Sequence, residues 1–434
     1  MQRTWGRGAI VLSLLAVAGI SAAADWPQWR GPKRDAVCTE TGLLEKWPAG
    51  GPPLLWKMKG IGMGYSAVAI VGDRLYTMGD LPIPGRRDSR GRQAKRQCIL
   101  AIDLKTQKPV WTAEVGSGHR DGPRCTPTVD GALTYAIGTS GDIVCVETAT
   151  GKRVWAKNFG RDFGGKMSTM WRFSESPLVD GDKVICTPGA DAAQVVALNK
   201  KAGETVWKCA VPDLGRRGRP GAAYASAMVA DVDGLRTYVQ LVGKGLIGVR
   251  ASDGKLLWSY NRIANSTANI PTPIVRGNHV FCTTSYGTGA VLLELSRKGD
   301  GVDAREVYFL PPNVFENIHG GVVLVGDHLY SMKGHKYNHE PICIEFLTGK
   351  VVWKSKSFGR LSCATLYADG HLYYRYEGGT MALVEATPEG YRPKSTWKPQ
   401  SGGRGPTWAH PVICDGRLYL RHGDELACYD VKAK

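Results

Sequence analysis

Eight times along the chain a short apolar stretch runs through a tight Gly-containing turn into a second apolar stretch. The turns read Val71-Gly72-Asp73, Val129-Asp130-Gly131, Val179-Asp180-Gly181, Val232-Asp233-Gly234, Val275-Arg276-Gly277, Val325-Gly326-Asp327, Ala368-Asp369-Gly370 and Cys414-Asp415-Gly416. Asp-Gly between apolar runs is a strong hairpin signal, because both central residues of such a turn need φ > 0. A second signal is locked to the first: an apolar run, a turn resembling Thr-Gly-Lys, then an aromatic. Thr106-Gln107-Lys108 leads to Trp111, Thr150-Gly151-Lys152 to Trp155, Ala202-Gly203-Glu204 to Trp207, Asp253-Gly254-Lys255 to Trp258 and Thr348-Gly349-Lys350 to Trp353. A stretched copy ends at Tyr308 and a loose one at Trp397. From Trp56 onward these aromatics stand 44 to 55 residues apart. Four strand-like segments at a period of roughly 40–50 residues predict a β-propeller.

Seven units contain all four strands, and the eighth stops at Lys434 with three. Leu54-Leu55-Trp56-Lys57 has the pattern of the missing fourth strand and precedes the first hairpin. The chain is therefore expected to be all-β, an eight-bladed propeller of four-stranded antiparallel blades, closed when the N-terminal strand completes the last blade. Closure leaves no large edge unpaired.

The recurring apolar strand, Ala or Cys, Thr-Gly-Lys turn and Trp resemble the repeat of the pyrroloquinoline-quinone (PQQ) type β-propellers of bacteria. The opening Asp25-Trp26-Pro27-Gln28-Trp29-Arg30-Gly31-Pro32 is similar to the start of secreted proteins of that group. The resemblance covers essentially residues 25–434. It implies the fold closely and the function loosely, because the superfamily holds quinoprotein alcohol dehydrogenases and a scaffold of the outer-membrane barrel-assembly machinery. In this family the repeated Trp packs flat between neighbouring blades, which would make Trp56, Trp111, Trp155, Trp207, Trp258, Trp353 and Trp397 blade-to-blade adhesive.

Arg3 and Arg7 precede an apolar run from Ala9 to Ile20, and Ser21-Ala22-Ala23-Ala24 offers small residues before Asp25. That is the pattern of a secretory signal peptide over residues 1–24, and the run is short for a membrane span, which needs about 20 residues. The expected order is signal peptide (1–24), N-terminal extension (25–53) and one propeller (54–434), periplasmic or secreted, with no transmembrane segment in the mature chain and a monomeric state. No Cys follows the apolar run to accept the lipid that the resemblance to the lipoprotein scaffold would imply. Cys145, Cys186, Cys282, Cys343 and Cys428 fall inside predicted strands, where a thiol serves as a small apolar residue. Bridges through Cys38, Cys125 or Cys363 stay open at this point. No CxxC metal pattern is present.

The formal net charge is +17. In an exported chain this points away from nucleic acid and towards a protein or an anionic cell-envelope polymer as partner. The densest cluster is Arg86, Arg87, Arg90, Arg92, Lys95 and Arg96, interrupted by a single acid, Asp88. It reads either as a solvated loop or as a docking patch whose binding weakens with salt.

Topology sorts the connections. In an up-and-down blade the Asp-Gly hairpins and Thr-Gly-Lys turns share one face, and the links between blades share the other with the links between second and third strands. The second face carries long segments: 82–97, 116–124, 158–175, 212–224, 333–340 and 399–409. Loops on a rigid scaffold usually carry function. The residues just before each inner strand should rim the central channel there: Tyr65, Arg124, Trp171, Arg172, Glu175, Tyr224, Asn269, Asn317, His319, Trp408 and His410. They read either as a binding site or as fillers bonding one another and water.

A quinoprotein dehydrogenase makes sharper demands. Ca²⁺ needs several hard oxygen ligands and an alcohol proton needs a carboxylate base. Many family members also hold the quinone against a disulfide of adjacent cysteines. Trp171, Glu175, Asn269 and Trp408 make a partial set, but no Asp stands at the inner-strand positions and no two cysteines are adjacent. His335 and His339 stand four apart on a predicted loop, where that spacing does not share a face, so no metal site is assigned. The favoured reading is a non-catalytic binding or assembly scaffold with no catalytic residues and no cofactor. The alternatives are an alcohol or sugar oxidoreductase using PQQ and Ca²⁺, and a polysaccharide-binding or degrading module. Glycoside hydrolysis mostly asks for two placed carboxylates, and the rim offers Glu175.

Overall fold

The computed structural model describes residues 25–335, 338–359 and 361–434; the expected signal peptide lies outside them. Eight sheets follow one another around a ring, and in six of them all the strands run in sequence order from the channel outward. Blade one is Ala69–Val71, Arg74–Arg87, Gln93–Asp103 and Pro109–Ser117. The inner strands of the next seven are Thr128–Asp130, Leu178–Asp180, Met228–Val232, Ile274–Arg276, Val322–Val325, Cys363–Ala368 and Val412–Cys414. Leu54–Lys59 pairs antiparallel with Glu425–Asp430 as the outer strand of blade eight. The ring is closed by the chain's own N-terminal strand, as the repeat count requires. Among the described residues the single helix is a short one, Phe159–Phe163, and no helix is long and apolar enough to cross a membrane.

The repeat residues explain one another. In six blades the indole sits opposite a small residue of the third strand: Trp111 on Ala101, Trp155 on Cys145, Trp207 on Ala197, Trp258 on Gly248, Trp353 on Cys343 and Trp56 on Cys428. A register slip lies beside each pair, the bulge that re-aims a side chain on a strand. The indole then meets the turn of the following blade. A Cβ on Gly151, Gly203 or Gly254 would strike the rings of Trp111, Trp155 and Trp207 respectively. The N–H of those three Trp donates to the carbonyls of Thr148, Lys200 and Ala251 at 3.0–3.1 Å. Trp353 donates likewise to Thr387, and Trp397 packs on Trp47 and under Gly51 of the extension. Where blade five replaces the tight turn by a long hairpin, Gly289–Lys298 into Gly301–Leu310, the N–H of Trp258 is buried without a partner among the described residues.

All eleven cysteines are buried and unbridged, so the open disulfide question closes in favour of thiols as packing groups. Two segments expected to be loops are paired strands. Residues 82–97 form a ribbon in which Arg74–Arg87 and Gln93–Asp103 go on pairing beyond the disc, with a register shift between Pro82 and Arg87, and His328–His335 pairs with Asn338–Glu345. Pro82, Pro84 and Gly85 in the first and Gly334 and Pro341 in the second interrupt the residues around them, which hides the strand period from a search for apolar alternation.

The extension is part of the propeller. Trp26 bridges Ile70 of blade one, Pro27 accepts from Val129 of blade two, and Val37–Cys38 adds a parallel strand to blade seven. Asp25 and Glu40 bind the hairpin turns at Gly72 and at Asp415-Gly416. Between those anchors residues 29–34 descend into the channel. There the Arg30 guanidinium donates to the carbonyls of Asp35 and of Val322 in blade six, and Arg34 donates to those of Ser176 and Pro177 in blade three. The tight reversal holds Arg30, Arg34 and Ala36 at positive φ. Burial pulls both guanidinium groups down to a pKa of about 10, still charged at neutral pH.

Candidate functional site: a blind aromatic cup

Because the extension stops the channel from the hairpin side, the long-loop face keeps a cup of about 410 Å³ with a closed floor. Trp29 and Arg30 belong to its lining. The Trp29 ring meets His410 edge-on at 4.6 Å, and its N–H donates to Thr272 at 3.2 Å. The walls take a residue from the link before every inner strand: Tyr65, Arg124, Trp171, Tyr224, Ile270, His319, Ser362 and Trp408. Tyr65 and Trp408 pack at 4.9 Å between ring centres, and Trp408 and His319 at 5.0 Å. Across the cup, Trp171 and Tyr224 stand 6.2 Å apart, and the Tyr224 hydroxyl bonds Thr169 and the Trp171 N–H. Arg124 lies 5.8 Å from the Tyr65 ring, donates to the Trp171 carbonyl and pairs with Asp121 at 3.3 Å.

One wall is polar. The Ser362 Oγ lies 2.9 Å from His319 Nδ1 and 3.0 Å from Glu377 Oε2. A hydroxyl has one proton, and a carboxylate only accepts. With the hydroxyl donating to Glu377, His319 Nδ1 donates to Ser362 and leaves a lone pair on Nε2. Burial, with neighbouring cations, pushes the His319 and His410 imidazoles down to about 3, so both rings are neutral at physiological pH. Two further lining residues, Tyr286 and Leu361, hold φ of 61° and 66°. Left-handed backbone at bulky residues is costly and clusters at functional sites.

Seven of the rim residues named from sequence therefore meet in the cup, and four do not. Arg172, at φ 68°, is turned outward and exposed. Glu175 is buried away from the cup, accepts from Thr187 and Gln240, and is pushed up to about 8 by burial despite Arg34. Asn269 bonds the carbonyls of Val242 and Gly243, and Asn317 bonds Ser331 and Met332. These three secure inner strands. Sequence reasoning missed Trp29, Arg30, Tyr286 and Glu377, and considered His339 only as a metal ligand beside His335. Only the Trp-Pro-Gln-Trp-Arg-Gly-Pro run hinted at the floor, as an aromatic cluster outside the repeat.

The cup does not fit a Ca²⁺–quinone pair. Its lining offers one carboxylate, Glu377, already engaged by Ser362, whereas Ca²⁺ takes six to eight oxygens. Among the described residues no group of three or more His, Cys, Asp or Glu is placed to share a metal. His339 lines the cup, while the side chain of His335 lies outside the described residues.

Comparison with known proteins agrees with the architecture. A family model described as outer membrane protein assembly factor BamB, of the PQQ-type propellers, matches residues 95–355. The chain belongs to this family. An outer membrane protein assembly factor BamB of Shewanella oneidensis is 25% identical over 272 residues, covering 59% of this chain and 63% of that protein. Its counterpart in Xanthomonas campestris pv. campestris is 28% identical over 131 residues, 29% of this chain and 32% of that protein. The matches thus span less than two thirds of either relative. Two solved structures share the fold: BamB from Moraxella catarrhalis, with TM-score 0.59, 13% identity and 87% and 99% coverage of this chain and of that one. The other is a quinohemoprotein alcohol dehydrogenase from Comamonas testosteroni, at 0.61, 13%, 95% and 81%.

Proposed function

We propose that this protein is an exported, non-catalytic scaffold that serves outer-membrane protein assembly by docking an acidic protein partner on its long-loop face. The observation that carries the reading is the charge of that face. In each of the six long segments cations outnumber carboxylates. On the protruding ribbon Arg86, Arg90 and Lys95 are exposed and make no ion pair among the described residues, Arg87 donates to the Gly91 carbonyl, and Arg92 and Arg96 pair with Asp88 and Glu114. A fixed basic arm steers an acidic partner over a Debye length of about 8–10 Å. Family membership supports the same reading, since its named relatives are assembly factors.

The test is made in the native host. Depleting the chain should lower folded outer-membrane barrel proteins; the parent gene should restore them, and a variant with Gln at the six ribbon cations should not. Unchanged barrel levels on depletion would remove the assembly role. Mass spectrometry of the exported protein should find Asp25 at its start. Addition of PQQ with Ca²⁺ should leave both melting temperature and dye-linked alcohol oxidation unchanged; a stabilised melt with turnover would revive the oxidoreductase.

A further inference from the structure

The cup has no part in the docking just proposed, and its chemistry is specific enough to name a ligand class. We infer that it binds a sugar ring, either free or as the end of an oligosaccharide. Three features exclude other occupants. The floor is closed by Trp29 and Arg30, so the cup receives an end and cannot pass a strand through the disc. At about 410 Å³ it lies in the range of small-molecule sites.

The walls pose opposed demands. Tyr65, Trp408, Trp171 and Tyr224 present aromatic surface, which suits the flat C–H faces of a pyranose. The polar wall is made of acceptors: the Glu377 carboxylate, and the Nε2 lone pair left on His319 by its bond to Ser362. Neighbouring acceptors call for a ligand with neighbouring O–H donors. A quinone has none, and a tyrosine side chain has one. A cation would face Arg30 and Arg124 without enough compensating charge, and a lone anion would face Glu377. A polyhydroxylated ring with apolar faces satisfies both walls at once, and the wall keeps its geometry because Ser362 is held from two sides. The positive φ of Tyr286 and Leu361 marks the same cavity as a place where the fold tolerates strain.

Saturation-transfer NMR and calorimetry on the purified protein test this with glucose, N-acetylglucosamine and glucuronic acid, and with their β-1,4-linked di- and tetrasaccharides. At least one should bind, with transfer to its ring protons. Glu377→Gln, which preserves shape, should weaken it about tenfold or more, the scale of one hydrogen bond to a charged group. Trp408→Ala should weaken it further. Equal affinity for monosaccharide and oligosaccharide marks a free sugar as the source; preference for the longer compound, with transfer confined to its terminal ring, marks a chain end. The inference falls if no sugar gives transfer up to about 10 mM, where even millimolar sites fill. It falls equally if Glu377→Gln binds as the parent does. Neither result touches the assembly role, which rests on the ribbon.

Discussion

The two faces of the disc are built from the same strands and obey different rules. On the hairpin face, charge is spent within the fold. Asp130 pairs with Lys200 of the next blade, Asp180 with Arg236 and Asp327 with Arg276, at 2.6–2.7 Å, and the extension caps further turns through Asp25 and Glu40. On the loop face the ribbon's Arg86, Arg90 and Lys95 are exposed, the links are long, and bulky residues sit at positive φ. A repeat thus holds its register through one face and is released from it on the other. The difference teaches where selection for the ring ends and room for recognition begins.

The comparison breaks most easily at the blade Trp, where the largest effect is expected. Trp207 is buried, stacks under Gly254 of blade four and donates to the Ala251 carbonyl. Truncation to Ala should cost about 3–5 kcal/mol, as for large core deletions, read by urea denaturation. A parental midpoint would show that the ring is not held together on this side.

The cup supplies the next effect, through pH. His410 is buried, and its folded pKa of about 3 lies below the unfolded value near 6.5. Its contribution to stability is complete above 6.5 and is lost as pH falls towards 3, because the unfolded chain takes up a proton that the fold refuses. Glu175, raised to about 8, acts in the opposite sense, its contribution fading as pH rises towards that value. Comparing the parent with His410→Gln cancels Glu175. Between pH 7.5 and 5.5 the parent should lose about 1 kcal/mol more than the variant; equal losses would mean that the cup wall is solvated.

A smaller and sharper contrast lies within the repeat. Trp207 and Trp258 occupy equivalent positions, but only the first has an acceptor for its N–H. Trp207→Phe should therefore cost about 1 kcal/mol more than Trp258→Phe, the net value of one hydrogen bond. If the costs match, the long hairpin of blade five contributes an acceptor in solution.

These contrasts also show what was readable beforehand. Blade number, closure by Leu54–Lys59 and the buried thiols follow from turn chemistry and period, which sequence displays directly. Seven of the eleven residues named before the inner strands line the cup, and their direction depends on single backbone angles such as φ 68° at Arg172. Whether Asn269 or Asn317 faces the cup or ties down a strand is set by carbonyls far along the chain. The floor lay hidden because Trp29 and Arg30 belong to no repeat, and their partners Thr272 and Val322 are more than 240 residues away.

The smallest expected effect on stability carries the largest on function. Replacing Arg86, Arg87, Arg90, Arg92, Lys95 and Arg96 by Gln removes five exposed charges and one half-buried one, that of Arg96. Their two ion pairs, with Asp88 and Glu114, are surface pairs whose attraction water largely screens. The melting midpoint should therefore move little, since each surface change costs no more than roughly 0.5 kcal/mol. Association with an acidic partner should slow several-fold at low salt, and parent and variant should converge as salt rises. A variant that melts far below the parent would show that the ribbon is part of the ring's framework, and the division between a structural face and a recognition face would then fail at blade one.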